Sequence, residues 1–185
     1  AMLKGRDLLK AYVNNGGDIA LHLAQGNALT LGVVNNVDNP AIDATVALAA
    51  SMPVRGLATS GWRGRSQSLG IADAVTIFAA DAATADAAAT MIANAVNVEH
   101  EAISRLPARK LRADSDLGDL PVTVAVGALP ASAPANALAN GCELARELQR
   151  QGLIYAAYLA LQGEVRAVLP AGTLVEPAVR RTAGG

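Results

Sequence analysis

The stretch Ile71-Ala72-Asp73-Ala74-Val75-Thr76-Ile77-Phe78, followed by Ala83-Thr84-Ala85-Asp86-Ala87-Ala88-Ala89-Thr90-Met91-Ile92-Ala93-Asn94, constrains the fold more than any other part of the chain. Its first half is apolar and partly β-branched, which predicts a buried strand; its second half is nearly all small residues, which predicts a closely packed helix. Asp86 and Thr90 are four residues apart and therefore share one helix face. A carboxylate and a hydroxyl on such a helix need a reason. Either Asp86 lies in the first turn and complements the helix dipole, or the pair serves a ligand.

Composition limits what surrounds this unit. Of 185 residues, 52 % are apolar but only 3 % aromatic, so the core must be built from Ala, Val, Leu and Ile. That length suits one domain, expected over residues 1–170, with an extended tail over 171–185. A formal net charge of −1 gives no electrostatic case for nucleic acid or an anionic membrane. The single cysteine, Cys142, excludes an internal disulfide and suits a reducing compartment. With no charged-then-apolar leader and no apolar run of about 18 residues, a cytoplasmic location is expected.

Taken in order, Leu8 to Asn14 reads as a strand that stops at Asn15-Gly16-Gly17-Asp18, where glycines permit a tight hairpin or close approach of a ligand to the backbone. Ile19 to Leu23 alternates, and Gln25-Gly26-Asn27 predicts a turn into Leu29–Val34, an antiparallel hairpin pattern. After a polar loop over Asn35–Pro40, Thr45–Ala50 fits strand or helix, and the flanking Pro53 and Gly56 favour strand. The segment from Arg55 to Gly70 carries Thr59, Ser60, Gly61, Trp62, Arg63, Gly64, Arg65, Ser66 and Ser68, a composition that can surround phosphate or simply be solvated. Asn97–Asp119 reads as irregular, with Arg105, Arg109, Lys110 and Arg112 paired locally to Asp114, Asp116 and Asp119. A strand over Pro121–Gly127, a helix over Asn136–Gln151 and a hairpin around Gln162-Gly163-Glu164 complete the chain. Cys142 shares the helix's apolar stripe with Leu138, Ala145 and Leu148 and reads as core.

No metal spacing of the HExxH or CxxC kind, no Walker A or Rossmann glycine fingerprint and no GxSxG elbow occurs. His22 and His100 are far apart in sequence. What remains is an ordered series of polar stations: Asn15-Gly16-Gly17-Asp18, Ala58-Thr59-Ser60-Gly61, Asp73, and Asp86 with Thr90. In this order they resemble the ApbE-type flavin transferases, which move FMN from FAD onto a protein threonine. Closer still is the resemblance to an uncharacterised ApbE-like family, carried by Thr59-Ser60-Gly61, Gly70-Ile71-Ala72-Asp73-Ala74-Val75, Asp116-Leu117-Gly118-Asp119 and the strand ending Val126-Gly127-Ala128-Leu129. It covers roughly residues 10–170.

The resemblance implies an α+β fold, ApbE-like, with a mainly antiparallel sheet and helices on its faces. It also implies a pocket for a flavin (FAD or FMN), a nucleotide-like molecule or a small anion, lined by Gly16, Gly17 and Asp18 and with Thr59, Ser60 and Gly61 in contact with the ligand; Arg63 and Arg65 would neutralise the ligand's charge there, and Asp73 is a further candidate for binding it. Asp86 and Thr90 match the family's Mg²⁺ ligands. Where the transferases carry a histidine-containing segment, this chain has Arg63, Arg65, Ser66 and Ser68, so the resemblance leaves the reaction unassigned. Three readings stay open: an enzyme acting on such a small molecule, a non-catalytic ligand-binding or assembly subunit, and a hydrolase using Thr59, Ser60 or Ser66 as nucleophile. Relatives have a further N-terminal portion, so a companion chain or fragment, or self-association as a homo-oligomer, is expected to cover exposed strand edges.

Overall fold

The computed structural model describes residues 8–33, 44–64 and 67–171. The expected polar loop 35–40, Arg65, Ser66 and the tail from residue 172 lie outside them. Strands β1 (Lys10–Asn15) and β2 (Asp18–Leu23) form the expected hairpin, with Asn15 opposite Asp18. Gly16 and Gly17 make its two-residue turn with φ of +72° and +137°, values that side-chain-bearing residues rarely adopt.

The expected pairing of β2 with the next strand does not occur. β3 (Ala28–Val33) pairs instead with β4 (Ala44–Ala49) in a separate two-stranded sheet. At the corner, Asn27 N–H donates to Ala24 O at 3.1 Å and Ala50 N–H donates to Asn27 O at 2.8 Å, so the chain leaves the first sheet there. The vacated edge of β2 is taken by β5 (Gly56–Ser60). Residues 44–49 are strand, as their flanks favour.

The main sheet is six-stranded and antiparallel, in the order β1-β2-β5-β6-β9-β10, with β6 (Ala74–Ala79), β9 (Ala156–Leu161) and β10 (Glu164–Val168) completing it. Every residue of β6 is buried. Val75 and Ile77 join an apolar layer with helices α1 (Ala82–Ala95) and α3 (Ser132–Arg150), while Phe78 joins Leu21, Leu48, Val54 and Leu57 in a second layer. A central strand covered on both faces has no use for polar alternation, which explains its continuous apolar sequence.

Asp81 caps α1 by accepting from Thr84 N–H at 2.8 Å and from the Thr84 hydroxyl at 2.9 Å. Asp86 therefore lies beyond the first turn, and the dipole explanation of its presence is replaced by Asp81. Ala85, Ala88, Ala89, Ile92 and Ala93 form the buried stripe. Small residues allow very close approach: a Cβ on Gly70 would lie 2.0 Å from Ala93 O.

Helix α3 starts at Ser132, four residues before the expected start, and Leu138, Cys142, Ala145 and Leu148 are buried on its inner face. Burial pushes the Cys142 thiol pKa up, against the opposing pull of Arg146 and Arg166. The region expected to be irregular instead contains β7 (Ile103–Pro107) and the one-turn α2 (Ala108–Leu111), and β7 pairs with β8 (Pro121–Val126), the strand expected there. Arg109–Asp119 and Arg112–Asp114 are the expected local pairs, at 2.8 and 3.9 Å, whereas Arg105 reaches Asn97 and Glu99. No helix among the described residues is long and apolar enough to cross a membrane.

Candidate functional site

Strand β2 pairs with β5 at only two positions, Ile19↔Leu57 and Ala20↔Gly56. Towards Asp18 the two strands part, and a cleft of about 870 Å³ opens between the Gly16-Gly17 turn, the end of β5 and the start of β6. Its size suits a small organic ligand. Gly16, Gly17, Asp18, Thr59, Ser60, Gly61, Arg63, Asp73 and Asp86 all line it, so nine positions singled out in the sequence converge on one place. Thr90 is exposed one turn further along α1 and is not among the lining residues. Arg65 and Ser66 lie outside the described residues.

Two carboxylates enter from different elements, Asp18 from the first residue of β2 and Asp86 from α1. Burial first, and the neighbouring Asp86 carboxylate second, raise the Asp18 pKa. Paired like charges at the mouth of a cleft are unfavourable alone and are relieved by a proton or a cation. Three or more His, Cys, Asp or Glu side chains do not gather into a metal cluster among the described residues. Any cation held here therefore needs oxygens from hydroxyls, backbone, ligand or water.

The third carboxylate, Asp73, is built into the wall. Its side chain is 13 % exposed and takes Arg63 Nε at 2.8 Å and Trp62 Nε1 at 3.2 Å on one oxygen. Its other oxygen takes the Gln162 backbone N–H at 2.6 Å. Gln162, in the β9–β10 turn, is the single non-glycine at positive φ (+48°) among the described residues, and its side chain donates to Gly127 O at 2.6 Å. The Arg63 guanidinium carbon lies 4.5 Å from the Trp62 ring centroid. Asp73 thus fixes the Trp62-Arg63 turn against the opposite hairpin. Trp62, open in the sequence to ligand stacking or to covering the core edge, spends its N–H and ring face on these two neighbours.

Thr59 and Thr76 sit directly opposite on β5 and β6, with their hydroxyl oxygens 2.8 Å apart. The partner of Thr59 is thus another hydroxyl. Neither histidine lines the cleft: His22 Nε2 lies 3.2 Å from Leu8 O, and His100 Nδ1 accepts from Ala102 N–H at 3.1 Å. Beside apolar wall residues such as Leu31 and Leu57, sequence reasoning missed two polar lining residues, Thr76 and Arg112. Thr76 is a polar interruption of an apolar strand, a signal visible in the sequence; Arg112 gave none, because its arrival depends on how the β7–α2–β8 unit docks.

Comparison with known proteins adds family-level information. The family described as AbpE bacteria matches residues 1–167. A protein of Methanothermobacter thermautotrophicus named UPF0280 protein is 41 % identical over 96 residues, which is 51 % of this chain and 36 % of that protein. Its counterpart of the same name in Methanosarcina acetivorans is 37 % identical over 94 residues, 50 % of this chain and 36 % of its own. The chain thus spans about a third of the length of the curated relatives it matches.

Proposed function

The chain belongs to the AbpE bacteria family, and on that premise we propose that the cleft between β2, β5 and α1 is the site of an enzyme acting on a phosphate-bearing flavin or similar nucleotide-like molecule, with Mg²⁺ bound beside it. The observation that carries this reading is the convergence on one cleft of a Gly-Gly turn, paired hydroxyls, a tethered guanidinium and two carboxylates from separate elements. Each supplies a different part of phosphate-ligand recognition. The Gly16-Gly17 turn lets a ligand approach main chain without a side chain in the way. Thr59 and Ser60 offer hydroxyl hydrogen bonds, and Arg63, tied through its Nε to Asp73, balances negative charge.

The donor set fits a hard divalent cation. Asp18 and Asp86 are close enough for one to raise the proton affinity of the other, a repulsion that a cation removes. Mg²⁺ is typically held by one or two carboxylates, with water and substrate phosphate supplying the rest. When bound it would neutralise phosphate charge developing during group transfer. Asp86 and Asp18 would hold it, with the remaining oxygens from water and substrate phosphate. Hydrolysis by a Thr59 nucleophile is less well supported, because the hydroxyl pairs with the Thr76 hydroxyl and no histidine among the described residues lines the cleft. A thermal-shift series with FAD, FMN, ADP and riboflavin, each with Mg²⁺ and with EDTA, tests the reading. Stabilisation by the phosphate-bearing compounds that requires Mg²⁺ is expected, and no stabilisation by any of them would overturn it.

A further inference from the structure

Arg112 comes from a part of the chain that has no sequence relation to the rest of the cleft. It follows α2, in the unit formed by β7, α2 and β8, yet it lines the same cleft as Arg63. Its ion pair with Asp114 is long, 3.9 Å, and its side chain is 62 % exposed, so its charge is available to a ligand. Arg109, one turn earlier, differs: it is paired to Asp119 at 2.8 Å and does not line the cleft.

The placement of Arg112 is built in. Gln67 and Ser68 are fastened to the β7–α2–β8 unit by Gln67 Nε2 to Ala108 O at 3.0 Å, by Ser115 Oγ to Gln67 Oε1, and by Thr123 N–H to Ser68 O at 2.8 Å. The same segment is fastened to α1, because Asn94 Oδ1 accepts from Ser68 Oγ at 3.1 Å and from Leu69 N–H at 2.9 Å. The β7–α2–β8 unit that leads to Arg112 and the helix α1 that carries Asp86 are thus both tied to the segment Gln67–Leu69.

Resting on the reading of the cleft as a phosphate-ligand site, we propose that Arg112 is a ligand-binding residue that takes phosphate oxygens together with Arg63. The cleft is lined by two guanidinium groups, Arg63 and Arg112, and by the Asp18 and Asp86 carboxylates. A metal-chelated diphosphate satisfies both: its oxygens meet the arginines and its cation meets the carboxylates.

The test is calorimetric titration of the full chain in Mg²⁺ with FAD, ADP, inorganic pyrophosphate and riboflavin, which lacks phosphate. Arg112→Ala is expected to weaken FAD, ADP and pyrophosphate about five- to tenfold and to leave riboflavin unchanged, while Arg109→Ala changes none. Asp114→Asn removes a competitor for Arg112 and is expected to tighten the phosphate ligands about twofold, a gain that a merely structural role would not produce. Equal binding of FAD and pyrophosphate by Arg112→Ala and the unaltered chain, or equal losses for riboflavin, would overturn the proposal. If the unaltered chain binds pyrophosphate but not FAD, and Arg112→Ala weakens pyrophosphate, the flavin reading fails and the role of Arg112 stands. Binding of neither overturns both.

Discussion

Replacing Asp73 by alanine removes three hydrogen bonds at one point: those from Arg63 Nε, Trp62 Nε1 and the Gln162 backbone N–H. A bond to a charged acceptor contributes about 1.5–3 kcal/mol when sheltered. Arg63 is 30 % exposed, however, and water can reach the Gln162 turn, so those two contributions must be discounted. The sum comes to about 2–3 kcal/mol, which for a domain of this size lowers Tm by roughly 4–10 °C. Asp73→Asn keeps one acceptor oxygen but must turn its amide towards an N–H donor, so it should lose about half as much. Differential scanning calorimetry of both variants checks the magnitude and the order. An Asp73→Ala protein melting within about 1 °C of the unaltered chain would refute the clamp.

Other expectations follow from the same contacts. Native Asp18 binds its proton more tightly than the unfolded chain does, so its contribution to stability is full below the unfolded pKa and is lost as pH rises through the raised folded pKa. Asp18→Asn is therefore expected to stabilise the apo protein slightly near neutral pH and to have no effect at about pH 3, as read by urea titrations at both values. Gly70→Ala would drive a Cβ to 2.0 Å from Ala93 O and 2.9 Å from Asn94 Cα, so a loss of about 3 kcal/mol or more is expected in the same assay. Asp81→Ala removes the α1 cap and should lower Tm by roughly 2–4 °C, measured by circular dichroism.

Local chemistry carried much of this architecture. The Gly16-Gly17 turn, the largely apolar run of β6 and the small-residue stripe of α1 are each dictated by a few neighbouring residues. Nine of the cleft's lining residues could be named because they sit on or beside those elements. Pairing was harder. Ile19–Leu23 alternates in the same way whether its neighbour is β3 or β5, and only the corner at Ala24–Asn27 and the distant β5 decide between them. β7 was obscured because Arg105 and Pro107 interrupt a five-residue strand whose partner begins fourteen residues after it ends. Arg112 was read only as a local salt-bridge partner for the same reason: its place at the cleft depends on the docking of that unit.

The central claim is that Asp18 and Asp86 present a cation to a phosphate-bearing ligand. Titration of the full chain with FAD, in Mg²⁺ and in EDTA, for the unaltered chain and for Asp86→Asn, tests it most directly. Mg²⁺ is expected to strengthen FAD binding about tenfold or more, and Asp86→Asn to abolish this dependence while leaving the fold intact. FAD affinity that is the same in Mg²⁺ and EDTA, or a Mg²⁺ effect that survives Asp86→Asn, would contradict it.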